Sequence, residues 1–450
     1  MKAIILAAGQ SKRMAPLPDK NFLPMLGKPL IVHQVEQLRR CGFEDVIVVG
    51  GRHNLEELGK VFGSMVSVVE QKKLEDGMAG AVLSVEDLIG DEPFLVVSSN
   101  DVIEDSAYTS LLAEKMSALL AKKVTSYFPG GYLKISSDGL VEKILEKPGA
   151  GKEPSDLVNI VAHLHREPGR LFEALKNAKT GRDDRYEVAL DAMISAGVEI
   201  RACVYTGAWQ AVKFPWHLIA VWKMLFAREM VLRKAAGGGM EGAGNRLHGA
   251  GAQIAETAIL RGDVILEDGV RVFDHAVIQG PAYIGKNAVV ANNALVRDSH
   301  IGEGSVVGFS TEIVRSYLAS HVWTHTNYIG DSVIASNVSF GSGAVVANLR
   351  LDEAPISVQI AGAHGVEKIE SGTNKLGAMI AEGVRIGVNT SIMPGVKIGN
   401  NSFVASGLCI GEDIGDRQFV YGKWTLEKRE NRTKMDLSAR EKMMEKLRKS

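Results

Sequence analysis

Residues 254–296, IAETAILRGDVILEDGVRVFDHAVIQGPAYIGKNAVVANNALV, carry an aliphatic side chain at every sixth position: Ile254, Leu260, Leu266, Val272, Ile278, Ile284, Val290 and Val296. Four positions after each of the first seven stands a small residue: Ala258, Val264, Val270, Ala276, Ala282, Ala288 or Ala294. Neither the helical period of about 3.6 nor the strand period of about 2 generates this pattern. A hexapeptide β-helix does. Each repeat supplies one flat face, the aliphatic residue stacks inward, and the small residue turns the corner. Three faces close one triangular coil. The register slips by one at Ile301, continues at Val307 and Ile313, and resumes in VRIGVNTSIMPGVKIGNNSFVASGLCIGED, residues 384–413.

The first half of the chain reads differently. KAIILAA, DVIVVGG and PFLVVSSN are short continuous apolar runs, as strands buried on both faces require. PLIVHQVEQLRRCG between them places Ile31, Val35 and Leu38 at helical spacing. Strands alternating with helices predict a mainly parallel, doubly wound sheet, whose ligands sit beyond the carboxyl ends of the strands. PWHLIAVWKMLFAREMVLRKAA (215–236) predicts one long amphipathic helix, and GGGMEGAGNRLHGAG (237–251) a flexible connector. The expected organisation is therefore an α/β domain over 1–236, a Gly-rich linker over 237–251, a β-helix over 252–422 and a charged tail over 423–450.

Composition narrows the function classes. At 450 residues the chain is too long for one ordinary core. A formal net charge of -1, from 52 basic and 53 acidic residues, gives no support to nucleic-acid or membrane-surface binding. No apolar run approaches the roughly 18 residues of a membrane span, and the opening residues do not form a signal peptide. Cys41, Cys203 and Cys409 are too few and scattered for a disulfide framework or zinc ribbon. The cytoplasm is the expected compartment.

Two stretches at the predicted strand ends carry chemistry. LAAGQSKRM (6–14) can bring backbone N–H groups against a phosphate, with Lys12 and Arg13 adding charge, or can be an ordinary strand-to-helix loop. SSND (98–101) ends in Asp101, which fits a ligand for a hard dication or a turn residue.

The two halves, in this order, resemble the sugar-1-phosphate nucleotidylyltransferases that carry a left-handed β-helix at the C-terminus, the archaeal-type bifunctional uridylyltransferase/acetyltransferases above all. LAAGQSKRM is similar to the family loop L-A-A-G-x-G-x-R-M, with Ser11 in place of the second Gly. DKNFLPMLGKPL (19–30) is similar to P-K-x-x-x-P-x-x-G-K-P, with Asp19 in place of Pro. The resemblance implies a Rossmann-like nucleotidyltransferase domain followed by a left-handed parallel β-helix of hexapeptide repeats. It implies that Ala7, Ala8 and Gly9 approach the nucleotide, that Arg13 stabilises the leaving pyrophosphate, and that Lys20 stabilises the attacking sugar phosphate. QKKLEDGMAGA (71–81) assigns Gln71 and Gly77 to the nucleotide, with Met78 where the family has Thr. Asp101 would hold Mg²⁺. GGYLKISSDGLVEKILEKP (130–148) and LVNIVAH (157–163) make Gly131, Glu146 and Asn159 sugar-site candidates. The family's W-x-D-x-G-x-P reads Trp209-Gln210-Ala211-Val212-Lys213-Phe214-Pro215 here. Ala211 cannot ligate a cation, and Lys213 is expected to bring positive charge to the phosphates instead.

In the β-helix, HTNYIGDSVI (325–334) and ANLRLDE (347–353) resemble the acetyltransferase motifs. The resemblance implies that His325 is a general base, that Tyr328 and Asn348 position the sugar or the acyl carbonyl, and that acetyl-CoA binds between neighbouring β-helices of a homotrimer. Family lysines shortly after the Asn are missing: Ala354 and Ser357 stand there, with Lys368 and Lys375 the nearest cations downstream. The implied activity is formation of an NDP-sugar and pyrophosphate from UTP or dTTP and a sugar 1-phosphate such as glucose 1-phosphate or N-acetylglucosamine 1-phosphate. Acetyl transfer to an amino-sugar phosphate is a second activity. The competing reading is a binding or assembly protein whose β-helix only trimerises the chain.

Overall fold

The first seven hexapeptides stack as the spacing requires. In the computed structural model, which describes all residues except 183, 237–245, 363–364, 424, 426, 433, 435–436 and 450, Ile254 pairs in parallel register with Val272, and Val272 with Val290. One coil is thus 18 residues, three hexapeptides. Val290 then pairs with Val307, Ile284 with Ile301 and Ile301 with Leu318, so the following coils are one residue shorter, which is the slip seen at Ile301. The inward aliphatics and the small corner residues form one continuous core running from Leu260 to Ile414. Corners require positive φ, and Asn287, Asn293, Asn389 and Asn401 adopt it at 56, 58, 52 and 54°, because a short amide side chain tolerates the left-handed region better than most.

Two features depart from the simple repeat. The ladder takes in Arg246–His248, inside the stretch expected as linker, because Leu247 is apolar and packs under Ile265 in parallel register. The rest of the expected linker, 237–245, lies outside the described residues. Further on, Ile334 pairs with Ile380 and Val346 with Ile392, so one coil carries a long insertion. That insertion holds an antiparallel hairpin, Ser357–Gly362 against Gly365–Glu370.

The N-terminal half is built on one nine-stranded sheet. Its strands are β1 (Lys2–Leu6), β2 (Asp45–Gly51), β3 (Ser67–Gln71), β4 (Phe94–Ser98), β5 (Ser117–Lys123), β6 (Gly131–Ile135), β7 (Val141–Glu146), β8 (Leu157–His165) and β9 (Ile200–Val204). The order is β7-β6-β8-β4-β1-β2-β3, with β5 also on β8 and β9 on β5. The strands β4, β1, β2 and β3 are mutually parallel, as predicted. The other flank holds the two reversed strands, β8, antiparallel to β4, β5 and β6, and β7, antiparallel to β6, so seven of the nine strands run one way and the mainly parallel sheet is mixed only there. An apolar run shows that a strand is buried but not which way it points. Helices α1 (Leu30–Arg40), α2 (Gly77–Leu83) and α3 (Arg185–Ser195) cover the sheet, and α4 (His217–Ala235) leads toward the β-helix.

The halves share a core. Leu218, Val221, Trp222, Leu225 and Phe226 of α4 pack with Leu23, Met25 and Leu26 on one side and with Ile265, Tyr283, Tyr317 and Met379 of the β-helix on the other. Polar bonds fix the register of this contact. Leu26 N–H donates to His300 Nε2 at 3.0 Å, and Tyr317 Oη donates to the Pro24 carbonyl at 2.7 Å. Lys223 meets Asp298 at 2.6 Å. His300 is buried, and desolvation pulls its pKa down to about 4, which keeps Nε2 free to accept. The insertion hairpin joins the same core through Ile356, Val358 and Ile360, beside Met14 and Leu17 of the signature loop. Residues 421–450 form a separate unit containing a helix, Leu437–Lys449. Among the described residues no helix is long and apolar enough to cross a membrane.

Candidate functional site

Parallel strands β1, β3 and β4 end at one edge of the sheet, so the segments after Leu6, Gln71 and Ser98 gather there. Ala7 continues β1 by donating to the Val49 carbonyl at 2.8 Å, and Ala7 and Ala8 are buried. The chain then turns through Gly9 into a short 3-10 turn, Lys12–Met14. Ser11 sits in the left-handed region at φ 52°, where the family signature has Gly. Its hydroxyl donates to Asp19 Oδ1 at 2.9 Å. Asp19 also accepts from the Asn21 N–H (3.1 Å), Asn21 Nδ2 (3.0 Å) and Asn54 Nδ2 (2.9 Å). Asn54 Nδ2 and Asn21 Nδ2 reach the Ala7 carbonyl as well, at 2.9 and 3.3 Å. Thus the two departures from the signature, Ser11 and Asp19, bond to each other and tie the loop to the strand end. Sequence reasoning left Asp19 and its two asparagines without a role; one substitution in each of two consecutive motifs was the available signal.

Lys20 lies in this cradle, only 6% exposed. Its Nζ stands 3.9 Å from where a Cβ on Gly9 would be and 3.5 Å from Ser11 Oγ. Desolvation lowers its pKa, Asp19 and Asp101 oppose that shift, and Arg13 reinforces it. Asp101 is buried too, and one carboxylate oxygen accepts from Trp209 Nε1 at 2.7 Å. Burial raises its pKa to about 6, against the pull of the Trp209 hydrogen bond and of Lys213 and Lys20. Lys213 donates to the Pro129 carbonyl at 2.8 Å and lies over the Phe128 ring, 3.7 Å from its centroid. Desolvation lowers its pKa to about 8, and its ammonium feels Asp101, Arg13, Lys147 and Glu146. Arg13 projects over the Phe214 ring at 5.9 Å and is otherwise exposed. Residues from opposite ends of the domain therefore share one electrostatic neighbourhood.

The sugar-site candidates also meet. A Cβ on Gly131 would lie 3.0 Å from Glu146 Oε2, 3.5 Å from Asn159 Cβ and 3.8 Å from Asn159 Nδ2. Glu146 pairs with Lys147 at 3.0 Å. Gln71 is buried at the end of β3, and its Nε2 donates to the carbonyls of Lys73 (3.0 Å) and Gly77 (2.8 Å). Both bonds use Nε2, so they hold the 72–77 loop and leave Oε1 out of them. Gly77, at φ 56°, needs the freedom of glycine to open α2.

In the β-helix, Tyr328 and Asn348 converge across Gly330, where a Cβ would meet Tyr328 Oη at 2.8 Å and Asn348 Nδ2 at 2.6 Å. Asn348 Nδ2 donates to Asp331 Oδ2 at 2.5 Å, and Arg315 grips the same carboxylate at 2.6 and 2.7 Å. His325 stands at the preceding corner, exposed, with its backbone N–H donating to Asn327 Oδ1. Of the two substitute cations, Lys375 bridges Leu349 in the backbone next to Asn348, whereas Lys368 lies out on the hairpin.

A mixed α/β sheet with a cationic, carboxylate-bearing strand-end loop, followed by a hexapeptide β-helix, defines the nucleotidyltransferase class with an appended hexapeptide half. Residues 3–163 match the MobA-like NTP transferase domain model, and residues 377–412 the bacterial transferase hexapeptide (six repeats) model. The chain belongs to the family of bifunctional sugar-1-phosphate nucleotidylyltransferase/acetyltransferases. It is similar to the protein of that name from Sulfurisphaera tokodaii, at 32% identity over 93% of this chain and 99% of the relative. It is also similar to the bifunctional protein GlmU of Methanococcus maripaludis, at 30% identity over 94% and 98%. A glucose-1-phosphate thymidylyltransferase from Streptomyces griseus is 28% identical over 72% of this chain and 92% of the relative.

Proposed function

We propose that the N-terminal half transfers a uridylyl or thymidylyl group from UTP or dTTP to a sugar 1-phosphate. The single observation that carries this reading is the convergence of Arg13, Lys20, Asp101, Lys213 and Glu146, drawn from distant parts of the sequence, on one strand-end edge. A phosphate oxygen of the sugar 1-phosphate attacks the α-phosphorus, the bond to the β-phosphate oxygen breaks, and pyrophosphate leaves. No protein nucleophile is required. Charge neutralisation and in-line positioning lower the barrier. Lys20, preorganised against Gly9, faces the reacting phosphates, Arg13 follows the leaving pyrophosphate, and Lys213 adds charge from the sugar side. Gln71 Oε1 can accept the N3–H that uracil and thymine carry and cytosine lacks. Gly131, Glu146 and Asn159 form the sugar pocket.

Mg²⁺ fits this donor set in one way. Among the described residues no three His, Cys, Asp or Glu side chains cluster as a metal cage. Asp101 keeps one carboxylate oxygen beyond its Trp209 bond, and a magnesium ion is commonly held by one or two carboxylates with substrate phosphates and water. Asp101 would hold it, and the ion would neutralise phosphate charge. Lys213 stands where the family's second ligand sequence is broken by Ala211.

We further infer acetyl transfer from acetyl-CoA to an amino-sugar phosphate in the β-helix, with His325 as base, Tyr328 and Asn348 as positioning groups, and a homotrimer that brings a neighbouring chain to the exposed His325. Imidazole suits a base that works near neutral pH. Pyrophosphate release from UTP and dTTP with a panel of sugar 1-phosphates tests the first activity. Thiol release from acetyl-CoA with glucosamine 1-phosphate and galactosamine 1-phosphate tests the second. A chain that forms trimers yet gives neither product is the assembly protein of the competing reading.

A further inference from the structure

Asn159, His163 and His165 all lie on β8, and a buried chain of hydrogen bonds runs back from Asn159 through the domain. His163 Nε2 is 2.9 Å from Asn159 Oδ1, and His163 Nδ1 is 3.0 Å from Tyr186 Oη of α3. Tyr186 Oη is in turn 2.9 Å from His165 Nε2. His163, Tyr186 and His165 are buried to 0, 1 and 1% exposure, and the His163 ring stacks on Tyr186 at 5.6 Å. Desolvation pulls the pKa of both histidines down to about 3, so both imidazoles are neutral.

A neutral imidazole has one donor and one acceptor nitrogen. The chain therefore has two self-consistent polarities. In the first, His165 Nε2–H donates to Tyr186, Tyr186 O–H to His163 Nδ1, and His163 Nε2–H to Asn159 Oδ1. The Asn159 NH₂ group then faces away from His163. In the second every bond is reversed and Asn159 turns its carbonyl outward. The far end of the chain decides between them. His165 Nδ1 is buried and has no hydrogen-bond partner. The first polarity leaves a bare lone pair there; the second leaves an N–H donor with no acceptor, which is the rarer and costlier defect. The open end of the chain agrees. Asn159 Nδ2 lies on the Gly131 side, where the Glu146 carboxylate also points, and an NH₂ group is the favourable neighbour of a carboxylate.

We propose that His163, Tyr186 and His165 are positioning residues that lock Asn159 with its NH₂ turned toward Gly131 and Glu146, so that this spot accepts only a sugar group offering a hydrogen-bond acceptor. The inference rests on the reading of Asn159 as a sugar contact. Tyr186→Phe removes the relay oxygen and keeps the ring. It should raise the KM for the sugar 1-phosphate about tenfold, leave the KM for UTP unchanged, and add nothing in an Asn159→Ala background. Tyr186→Phe with an unchanged sugar KM, while Asn159→Ala raises it, overturns the relay and leaves the sugar pocket standing. Asn159→Ala with an unchanged sugar KM overturns the pocket reading and the relay with it. Nitrogen-15 NMR of the histidine-labelled full chain reads the polarity without any variant. Two imidazoles that stay neutral to pH 5 with the proton on Nε2 support the proposal, and a proton on Nδ1 of either one overturns it.

Discussion

Asp19→Ala is the most informative single substitution. The carboxylate accepts four bonds, from Ser11 Oγ, the Asn21 N–H, Asn21 Nδ2 and Asn54 Nδ2. Asn21 and Asn54 are buried, so water cannot fully replace the lost acceptor. Hydrogen bonds to a charged group contribute about 1.5–3 kcal/mol each, but four bonds to one carboxylate do not add. Both asparagine amides keep the Ala7 carbonyl as a second partner, and a net loss of about 3 kcal/mol is expected. The catalytic effect follows from Lys20, whose charged form Asp19 supports against desolvation. Without Asp19 its pKa falls further, and the alkaline limb of the pyrophosphate-release profile should move to lower pH with a raised KM for the sugar 1-phosphate. Ser11 adds an internal control. Its left-handed backbone costs about 1–2 kcal/mol, offset chiefly by the Asp19 bond, with a longer contact from Lys20 Nζ at 3.5 Å. Ser11→Gly should therefore be near neutral alone and stabilising in the Asp19→Ala background, a coupling of about 1–2 kcal/mol. Denaturation midpoints and steady-state kinetics of the four proteins close the cycle. Additive effects, or an unmoved alkaline limb in Asp19→Ala, would refute the reasoning.

Lys213→Met should lower turnover at saturating Mg²⁺ by about an order of magnitude. Its depressed pKa of about 8 means the folded protein binds fewer protons than the unfolded chain between that value and 10.5, so wild-type stability rises across this window, and the variant should show a flatter rise in denaturation at pH 7 and 9.5. Asp101→Asn should reduce turnover about a hundredfold. The wild-type carboxyl, raised from 3.8 to about 6, gives stability that is complete below 3.8 and lost as pH rises through 6, so the apo variant should be the more stable protein at pH 7.5 by thermal melting. His325→Ala should abolish thiol release from acetyl-CoA and leave pyrophosphate release unchanged.

The repeat was legible because stacking imposes its period on the sequence directly: a residue six places on meets the same core. The strand-end loops were legible for a similar reason, since Ala7, Gly9 and Lys20 act on their immediate neighbours. What escaped the sequence depends on partners far away along the chain. Val358 and Ile360 alternate as any strand would, and nothing local shows that their cover is Met14 and Leu17. The apolar run of β8 hid its direction, because pairing partners and not composition set it. Asp19 read as a defect in a motif until its four donors, one of them more than thirty residues away, came together around it.

The contact between α4 and the β-helix bears on how such chains can be recombined. Trp222, Leu225 and Phe226 would face water if the second half were removed, and the turn holding Leu26 would lose His300 and Tyr317 as anchors. Grafting this catalytic head onto a foreign stem would require carrying the outward-facing Ile265, Tyr283 and Tyr317 along with it. A swap designed from domain boundaries alone would yield a sticky, loosened transferase rather than an interchangeable module.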